Sequence, residues 1–494
     1  GGDSIKAIQI MSRLRREGYR VTMKDIFAHP TIESLSLCVE RVEEEQDQST
    51  VKGEVPLSPI QRHFFAHYGS HEDHHHYNQS VLLFKASGFE RALLKAMLEK
   101  LHAHHDALRM QYELVDGAIV QRNVGLDYPV FLEEHDLRGI TGALQVMSEK
   151  IEAYQGSIDL TSGPLMKAVL FHLDDGDRLF LTVHHLVIDG VSWRILFEDL
   201  DLMFEQYDRG EALSLPLKSS SYQSWSSKLE AYSQSNDFAK ELSYWSDMDK
   251  LSIASLPKDK ASDLGSLSDY SREVLTLDKD LTGLLLSGAH EAYGTDINDL
   301  LLTGLALSIS EVFSVEEFLL TLEGHGREEF LPGQDISRTV GWFTSMYPVH
   351  LSLTGSKDVP GYIKGIKEQL RNIPGKGIGY GVYKYLREGN EGELSKPEII
   401  FNYLGQFTQD IQGDYFELAK ESSGLAQSLR LPGEHALDIT AIIESDELKI
   451  VVSYSQNLYH SQTIRKQLSS YENHLRSIVE VCLGVSTREY TPSD

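Results

Sequence analysis

Cysteine is nearly absent: Cys38 and Cys482 are the two in 494 residues, far apart and outside any metal-ligand spacing. No disulfide framework can be drawn from them, no metal site is expected, and a reducing compartment, the cytoplasm, is the expected setting. Long apolar runs are missing too, so no membrane association is expected. Basic residues are few, 46 Lys and Arg against 74 Asp and Glu for a net charge of -28, and they are not clustered. Counterion release from a phosphate backbone needs concentrated cationic side chains, which excludes nucleic acid as an expected partner. There is neither an initiator Met nor a charged-then-apolar leader: Gly1-Gly2-Asp3-Ser4 reads as a cut inside a longer polypeptide. What is present, 41% hydrophobic and 24% charged residues, suits two or three globular domains with sizeable cores.

Periodicity divides the chain. Ile5, Ile8, Met11 and Leu14 recur on one helical face, residues 23–27 form a short helix stopped by Pro30, and residues 31–42 extend a further one. Residues 43–54 are acidic and poor in apolar side chains, as in a solvated linker. The expected organisation is a helical unit over 1–42, a linker over 43–54, a first lobe over 55–225 and a second over 226–494. Within the lobes, hairpins are expected over 110–122 and 165–183, and helices over 89–105, 192–207, 281–293 and 296–310. An apolar strand over 318–322 delivers Glu323. The class is α/β without the regular period of a barrel.

Two clusters carry chemistry. His184-His185-Leu186-Val187-Ile188-Asp189-Gly190 falls between a β-prone run and a helix, and Glu323-Gly324-His325-Gly326-Arg327-Glu328 follows a strand. Imidazole and carboxyl groups at strand ends point to proton transfer from a rigid scaffold. Ser4, ahead of an amphipathic helix, reads by default as a capping serine; behind two glycines that admit a modifying enzyme, it also reads as a covalent attachment site. His71, Glu72, Asp73, His74, His75 and His76 read as a solvated loop in preference to a metal site. Gly375, Gly377, Gly379 and Gly381 lack the preceding strand that a dinucleotide loop needs.

Gly2-Asp3-Ser4-Ile5 resembles the phosphopantetheine attachment motif of a peptidyl carrier protein from a nonribosomal peptide synthetase. The remainder resembles an epimerization domain along nearly its full length. The matching motifs are Leu57-Ser58-Pro59-Ile60-Gln61, the His184 to Gly190 motif with Ser192-Trp193, Ala292-Tyr293 with Thr295 to Asp299, and Glu323 to Glu328. They continue with Arg338-Thr339-Val340-Gly341-Trp342-Phe343-Thr344, Pro374 to Gly381, and Phe401-Asn402-Tyr403-Leu404-Gly405-Gln406-Phe407.

The resemblance implies a two-lobed fold similar to chloramphenicol acetyltransferase, with a tunnel between the lobes, behind an incomplete helical carrier domain. It implies 4'-phosphopantetheine on Ser4 and L-to-D epimerization of an aminoacyl or peptidyl thioester, with His185 and Glu323 as the acid/base pair from opposite lobes. Which of the two removes the L-proton stays open. Asp189 is expected to hold its loop by a charge-assisted bond and Gly190 to permit a tight turn. His184 orients its neighbour or makes a structural hydrogen bond. Asn402 and Tyr403 are expected along the tunnel, Tyr403 as an aromatic wall or as a donor to the substrate. Arg327 is expected to make a salt bridge across the lobe interface, with contact to the thioester or a phosphate as the alternative. Implied partners are the carrier-bound substrate, a phosphopantetheinyl transferase, an adjacent adenylation domain and a downstream condensation domain. The rivals are a condensation domain, which uses the same His-His-x-x-x-Asp-Gly motif, and a non-catalytic module that docks a carrier.

Overall fold

The computed structural model describes residues 4–41, 46–387, 396–406 and 413–494. Helix α1 (Ser4–Arg16) buries Ala7, Ile8 and Met11 on one face. Strand β1 (Tyr19–Arg20), helices α2 (Met23–Ala28) and α3 (Ile32–Ser36) and strand β2 (Glu40–Arg41) complete the amino-terminal unit. Thr22 and Thr31 cap α2 and α3 through their hydroxyls, satisfying backbone donors left free at a helix start. The helix expected over 31–42 stops at Ser36. Leu37 and Cys38 turn back onto the Ser34 and Leu35 carbonyls, and Glu40–Arg41 pairs antiparallel with Tyr19–Arg20 instead. Of the acidic stretch, residues 43–45 lie outside the described residues. Beyond them, Gln48 exchanges hydrogen bonds with the Lys218 backbone and Gln46 accepts one from Ser220. Amide side chains thus tether a segment whose composition reads as solvated.

The first lobe contains β3 (Gly53–Val55), α4 (Pro59–Tyr68), β4 (Asn78–Lys85), α5 (Arg91–His104), β5 (Met110–Val115), β6 (Ala118–Asn123), β7 (Phe131–Asp136), α6 (Ala143–Gln155), β8 (Met166–Leu173), β9 (Gly176–His184) and α7 (Gly190–Asp208). Helices α8 (Tyr222–Tyr232), α9 (Asn236–Ala239) and α10 (Leu242–Asp249) lead into the second. That lobe holds β10 (Tyr270–Leu277), α11 (Lys279–Leu286), α12 (Ile297–Phe313), β11 (Glu317–Gly324), β12 (Ser345–Ser352), α13 (Val359–Arg371), α14 (Ile378–Tyr385), β13 (Ile399–Gly405), β14 (Glu417–Leu418), β15 (Leu437–Glu444), β16 (Glu447–Ser455) and α15 (Ser461–Gly484). The helix expected over 281–293 ends at Leu286, because Ser287 leaves helical geometry and its hydroxyl bonds back to the Gly283 carbonyl at 2.7 Å, a local competitor of the helix ladder.

Two sheets organise the molecule, one ordered β14-β4-β9-β8-β7 and the other β10-β16-β15-β13-β11-β12. In the second sheet, Leu320, Leu322, Ile399, Phe401, Leu437 and Ile439 join the core containing Leu301, Leu305, Tyr471 and Leu475 of α12 and α15. Alternation sends the intervening residues to the other face. By the parallel register, Thr321, Ile400 and Asp438 align there, as do Asn402 and Thr440. Apart from Ile400, the residues aligned on that face are polar.

The lobes interlock twice. Glu417–Leu418, from the second half of the chain, returns to pair with β4, a strand too short to show alternation in sequence. Residues 325–343 reach the other way, and Arg327 at their root is buried. Its Nη2 donates to both Asp189 oxygens at 3.0 and 3.1 Å, its Nη1 donates to the Ile336 and Thr339 carbonyls, and its guanidinium lies 4.0 Å over the Phe343 ring. No helix among the described residues is long and apolar enough to cross a membrane. Removing one member of a buried pair leaves the other charge uncompensated. Arg327→Met is therefore expected to lower stability by about 3–5 kcal/mol, read as a drop in the unfolding midpoint. A change under about 1 kcal/mol would show that this pair is not what clasps the lobes.

Candidate active site

His184 ends β9, and His185 opens a single 3-10 turn, His185–Val187, ahead of α7. His184 is fully buried; its Nδ1 accepts from the Leu186 amide at 3.2 Å and its Nε2 lies 3.1 Å from the His74 carbonyl. Burial pushes its pKa down to about 3, so this ring is a neutral structural strut with both nitrogens engaged by backbone. His185 is half-buried. Its Nδ1 lies 2.8 Å from the Ile188 carbonyl. A carbonyl oxygen can only accept, so Nδ1 carries the ring proton and the lone pair belongs to Nε2. Burial lowers the pKa of His185, partly opposed by the Ile188 bond and the Asp189 charge. Its ring packs against Trp342, 4.3 Å away, and Tyr77, 5.8 Å away, which also touch each other.

Asp189 caps α7, accepting from the Ser192 amide and hydroxyl at 2.7 Å each, and receives Arg327 and the Phe343 amide on the same carboxylate. With that many donors it holds the loop. Gly190 is the first residue of α7 and is not among the positive-φ glycines; the turn expected of it is made by Asp189 in an extended conformation. The glycine that sterics demand is Gly326, with φ +66 and the Phe343 carbonyl oxygen 1.6 Å from where a Cβ would stand. That contact lets the loop after Glu323 lie flat against residues 341–345.

Glu323 stands one residue before the end of β11, half-buried, and accepts a hydrogen bond from Asn402 Nδ2. Asn402 is brought there by register, since its predecessor Phe401 pairs with Leu322. Burial, followed by the charges of Asp438 and Glu434, pushes the Glu323 pKa up to about 8. Asp438, on the same face of the sheet, is reached by solvent, and its own pKa is raised to about 6 by desolvation first and the Glu434 charge after it. Tyr403, one residue on, packs against the core of the second lobe, and a bulge follows it before Gly405.

The two acid/base candidates share a neighbour. Tyr77 stacks on His185, and the Glu323 charge opposes ionisation of its phenol, so Tyr77 stands within electrostatic reach of both. The His71 to His76 stretch does not join them: His75 Nδ1 accepts from the Leu160 amide, His76 reaches the Leu425 carbonyl, and Arg430 pairs with Glu72 and Asp73. A cavity of about 380 Å³ lined by Leu307, Ser310, Glu311, Leu353, Tyr362 and His474 contains none of these groups. Sequence reading missed Tyr77, Gln79 and Asp438. The available signal was polar residues at the start of an apolar strand, Asn78-Gln79-Ser80, and an Asp inside the apolar alternation of 437–443.

Residues 51–494 match the family model described as a condensation domain, and residues 1–39 match that of a phosphopantetheine attachment site. Tyrocidine synthase 2 of Brevibacillus parabrevis is 40% identical over 500 residues, covering 100% of this chain and 14% of that protein. Gramicidin S synthase 1 of Brevibacillus brevis is 40% identical over 508 residues, covering 100% of this chain and 46% of its own length. The chain thus spans less than half of these relatives. Among solved structures, the epimerization domain from the third module of tyrocidine synthetase B superposes with a TM-score of 0.83 at 38% identity, covering 89% of this chain and 100% of that one. The first condensation domain of the CDA synthetase, with a TM-score of 0.62 at 17% identity over 90% of this chain and 98% of its own, shares the fold. The chain belongs to the condensation-domain family, within the nonribosomal peptide synthetases, and carries a phosphopantetheine attachment segment ahead of that domain.

Proposed function

We propose that this chain inverts the α-carbon of an aminoacyl or peptidyl group, L to D, while the group is held as a thioester on the phosphopantetheine arm of Ser4. The observation that carries the reading is the pairing of an imidazole, its lone pair on Nε2, in one lobe with a half-buried carboxyl, held by Asn402 and with its pKa pushed up to about 8, in the other. The likeness to a tyrocidine synthetase epimerization domain supports it. A condensation role asks for a base where two carrier arms meet; a carboxylic acid on the opposite wall is the added requirement of inversion. A docking module needs neither.

Ser4 opens α1, and within the first turn Lys6 Nζ donates to Gln406 Oε1 at 2.7 Å, just past the end of the strand that holds Asn402 and Tyr403. The helix that carries the attachment serine therefore touches the chain just past the end of β13. The arm supplies a thioester, whose carbonyl acidifies the adjacent Cα–H by delocalising the developing charge. His185 removes that proton at Nε2, and Glu323 delivers its own proton from the opposite face. Asn402 fixes one Glu323 oxygen and leaves the other to reach the substrate. Taking the reaction in reverse exchanges the roles. A phosphopantetheinyl transferase loads Ser4, an adenylation domain supplies the L-residue, and a downstream condensation domain consumes the D-product.

With the carrier completed and an L-aminoacyl group loaded on Ser4, incubation in deuterated water is expected to give a D-product bearing α-deuterium. Glu323→Gln is expected to slow its formation by at least about 100-fold. Unchanged inversion sinks the assignment of Glu323, and amide formation with a second loaded carrier in place of exchange sinks epimerization. The pH dependence has a definite sign. Glu323 must hold its proton to act as the acid, so the L-to-D rate is expected to fall as pH rises through about 8. Because the Asp438 charge raises that pKa, Asp438→Asn is expected to move the alkaline limb to lower pH. The same proton stabilises the fold: its contribution is full below the ordinary carboxylate range and is lost as pH rises through about 8. Glu323→Gln should therefore gain in unfolding midpoint over the parent above that pH.

A further inference from the structure

Gln79 stands in β4 beside His185, on the face that looks toward α7. Two groups of fixed polarity bracket it. At one end, Trp193 Nε1–H, a donor only, bonds Gln79 Oε1 at 3.0 Å. At the other, the Ile188 carbonyl, an acceptor only, takes the Nδ1 proton of His185 at 2.8 Å. Between them, Gln79 Nε2 lies 3.0 Å from His185 Nε2. With both ends fixed, every proton in the chain is fixed too: Trp193 donates to the amide oxygen, the amide N–H donates to His185 Nε2, and His185 donates to Ile188.

We propose that Gln79, anchored by Trp193, is the positioning residue that keeps His185 unprotonated and in the Nδ1–H tautomer until substrate arrives. The consequence follows from donor counting. A proton placed on Nε2 in the resting state would face the amide N–H of Gln79, donor against donor. The amide could turn its oxygen to the imidazolium only by giving up Trp193, whose indole N–H is buried with the ring and would lose its partner. The resting site therefore disfavours the imidazolium. The incoming substrate displaces the amide from Nε2 and finds the lone pair ready.

Other groups act on the same ring. Burial disfavours the charged form, and Asp189 on the same turn favours it. The Tyr77 ring stacks on it from the residue before β4, and the Glu323 charge acts on Tyr77 from the other lobe. None of these contacts Nε2 as Gln79 does, so exchanging Gln79 tests the hydrogen bond separately from the field. Gln79→Glu supplies an acceptor to both the indole and the imidazolium. Trp193→Phe keeps the amide but frees it to turn over. Both changes are expected to stabilise the protonated ring.

The inference rests on the reading of His185 as the base, and its test is made independent of that reading. In the whole chain labelled with 15N-histidine, the His185 resonances, assigned with His185→Ala, are expected to show the Nδ1–H tautomer in the parent. Gln79→Glu should raise the titration midpoint of His185 by about one pH unit or more, and Trp193→Phe by less. On loaded carrier, Gln79→Glu should slow inversion at neutral pH by about 100-fold and recover activity as pH rises, with KM for the carrier unchanged. A parent tautomer with the proton on Nε2, or a His185 midpoint that neither variant moves, overturns the proposal. The parent measurement decides even where a variant fails to fold. If the tautomer and the shifts are as expected while Glu323→Gln leaves inversion intact, the acid/base reading falls and the assignment of Gln79 stands.

Discussion

The buried pair between Arg327 and Asp189 is the constraint on which the site depends. Asp189 caps α7 and thereby fixes the turn that presents His185, while Arg327 lies four residues beyond Glu323 in the loop leaving β11. One contact therefore sets the distance between two catalytic candidates carried by different sheets. Its geometry is expensive to disturb: the guanidinium also holds the Ile336 and Thr339 carbonyls and covers Phe343. A pair that is this well satisfied inside the protein offsets much of the desolvation that burial of two charges costs. Replacing both members with apolar groups could keep the fold, but it would free the loops to settle independently.

Between the clasped lobes, the electrostatics divide by wall. The second sheet carries Glu323, Asn402 and Asp438 on one face, and burial, followed by the charges of Asp438 and Glu434, pushes the Glu323 pKa up to about 8. Glu434 goes the other way. His63 Nε2 pairs with it at 3.0 Å while His63 Nδ1 lies 2.8 Å from the Tyr385 hydroxyl, and nearby histidines hold the Glu434 pKa down at about 2. Two carboxyls in one neighbourhood thus acquire opposite protonation states at neutral pH. The difference comes from partners: a histidine beside one, further carboxylates beside the other.

The sequence disclosed the fold through its regular parts. The apolar alternation of 166–173 and 178–183, the helical spacing of 192–207 and the strand leading to Glu323 all have local causes, and the structure places them accordingly. The motif residues were legible because they cluster: His185 with Asp189, Glu323 with Arg327. What stayed hidden depends on register and on contacts distant in the chain. Asn402 reaches Glu323 because β13 lies parallel to β11 with Phe401 against Leu322, and no local pattern fixes that offset. Gln79 reaches His185 across the β4–β9 pairing, in which it stands opposite Val183. The early stop at Ser36 and the break at Ser287 depend on hydroxyls and short turns that a periodicity reading passes over.

The attachment segment is joined to the catalytic lobes through the same stretch that packs on His185. Arg338 Nη1 donates to Ser12 of α1 at 2.7 Å and to Glu198 of α7 at 2.7 Å, and Nη2 engages Asp199, which also holds His105. Arg15 pairs with Asp335 at 3.0 Å, and Glu329 accepts from the Met23 amide at 3.3 Å. Four residues after Arg338, Trp342 covers the imidazole. A helix whose first residue bears the modified serine is thus oriented by polar contacts along its length, while its apolar face merges with the first-lobe core through Ala7, Ile8 and Met11. Apolar burial supplies adhesion without direction. Here direction comes from the buried arginine, whose planar fork reads a hydroxyl on one element and carboxylates on another, so that α1 is held against α7 in one orientation.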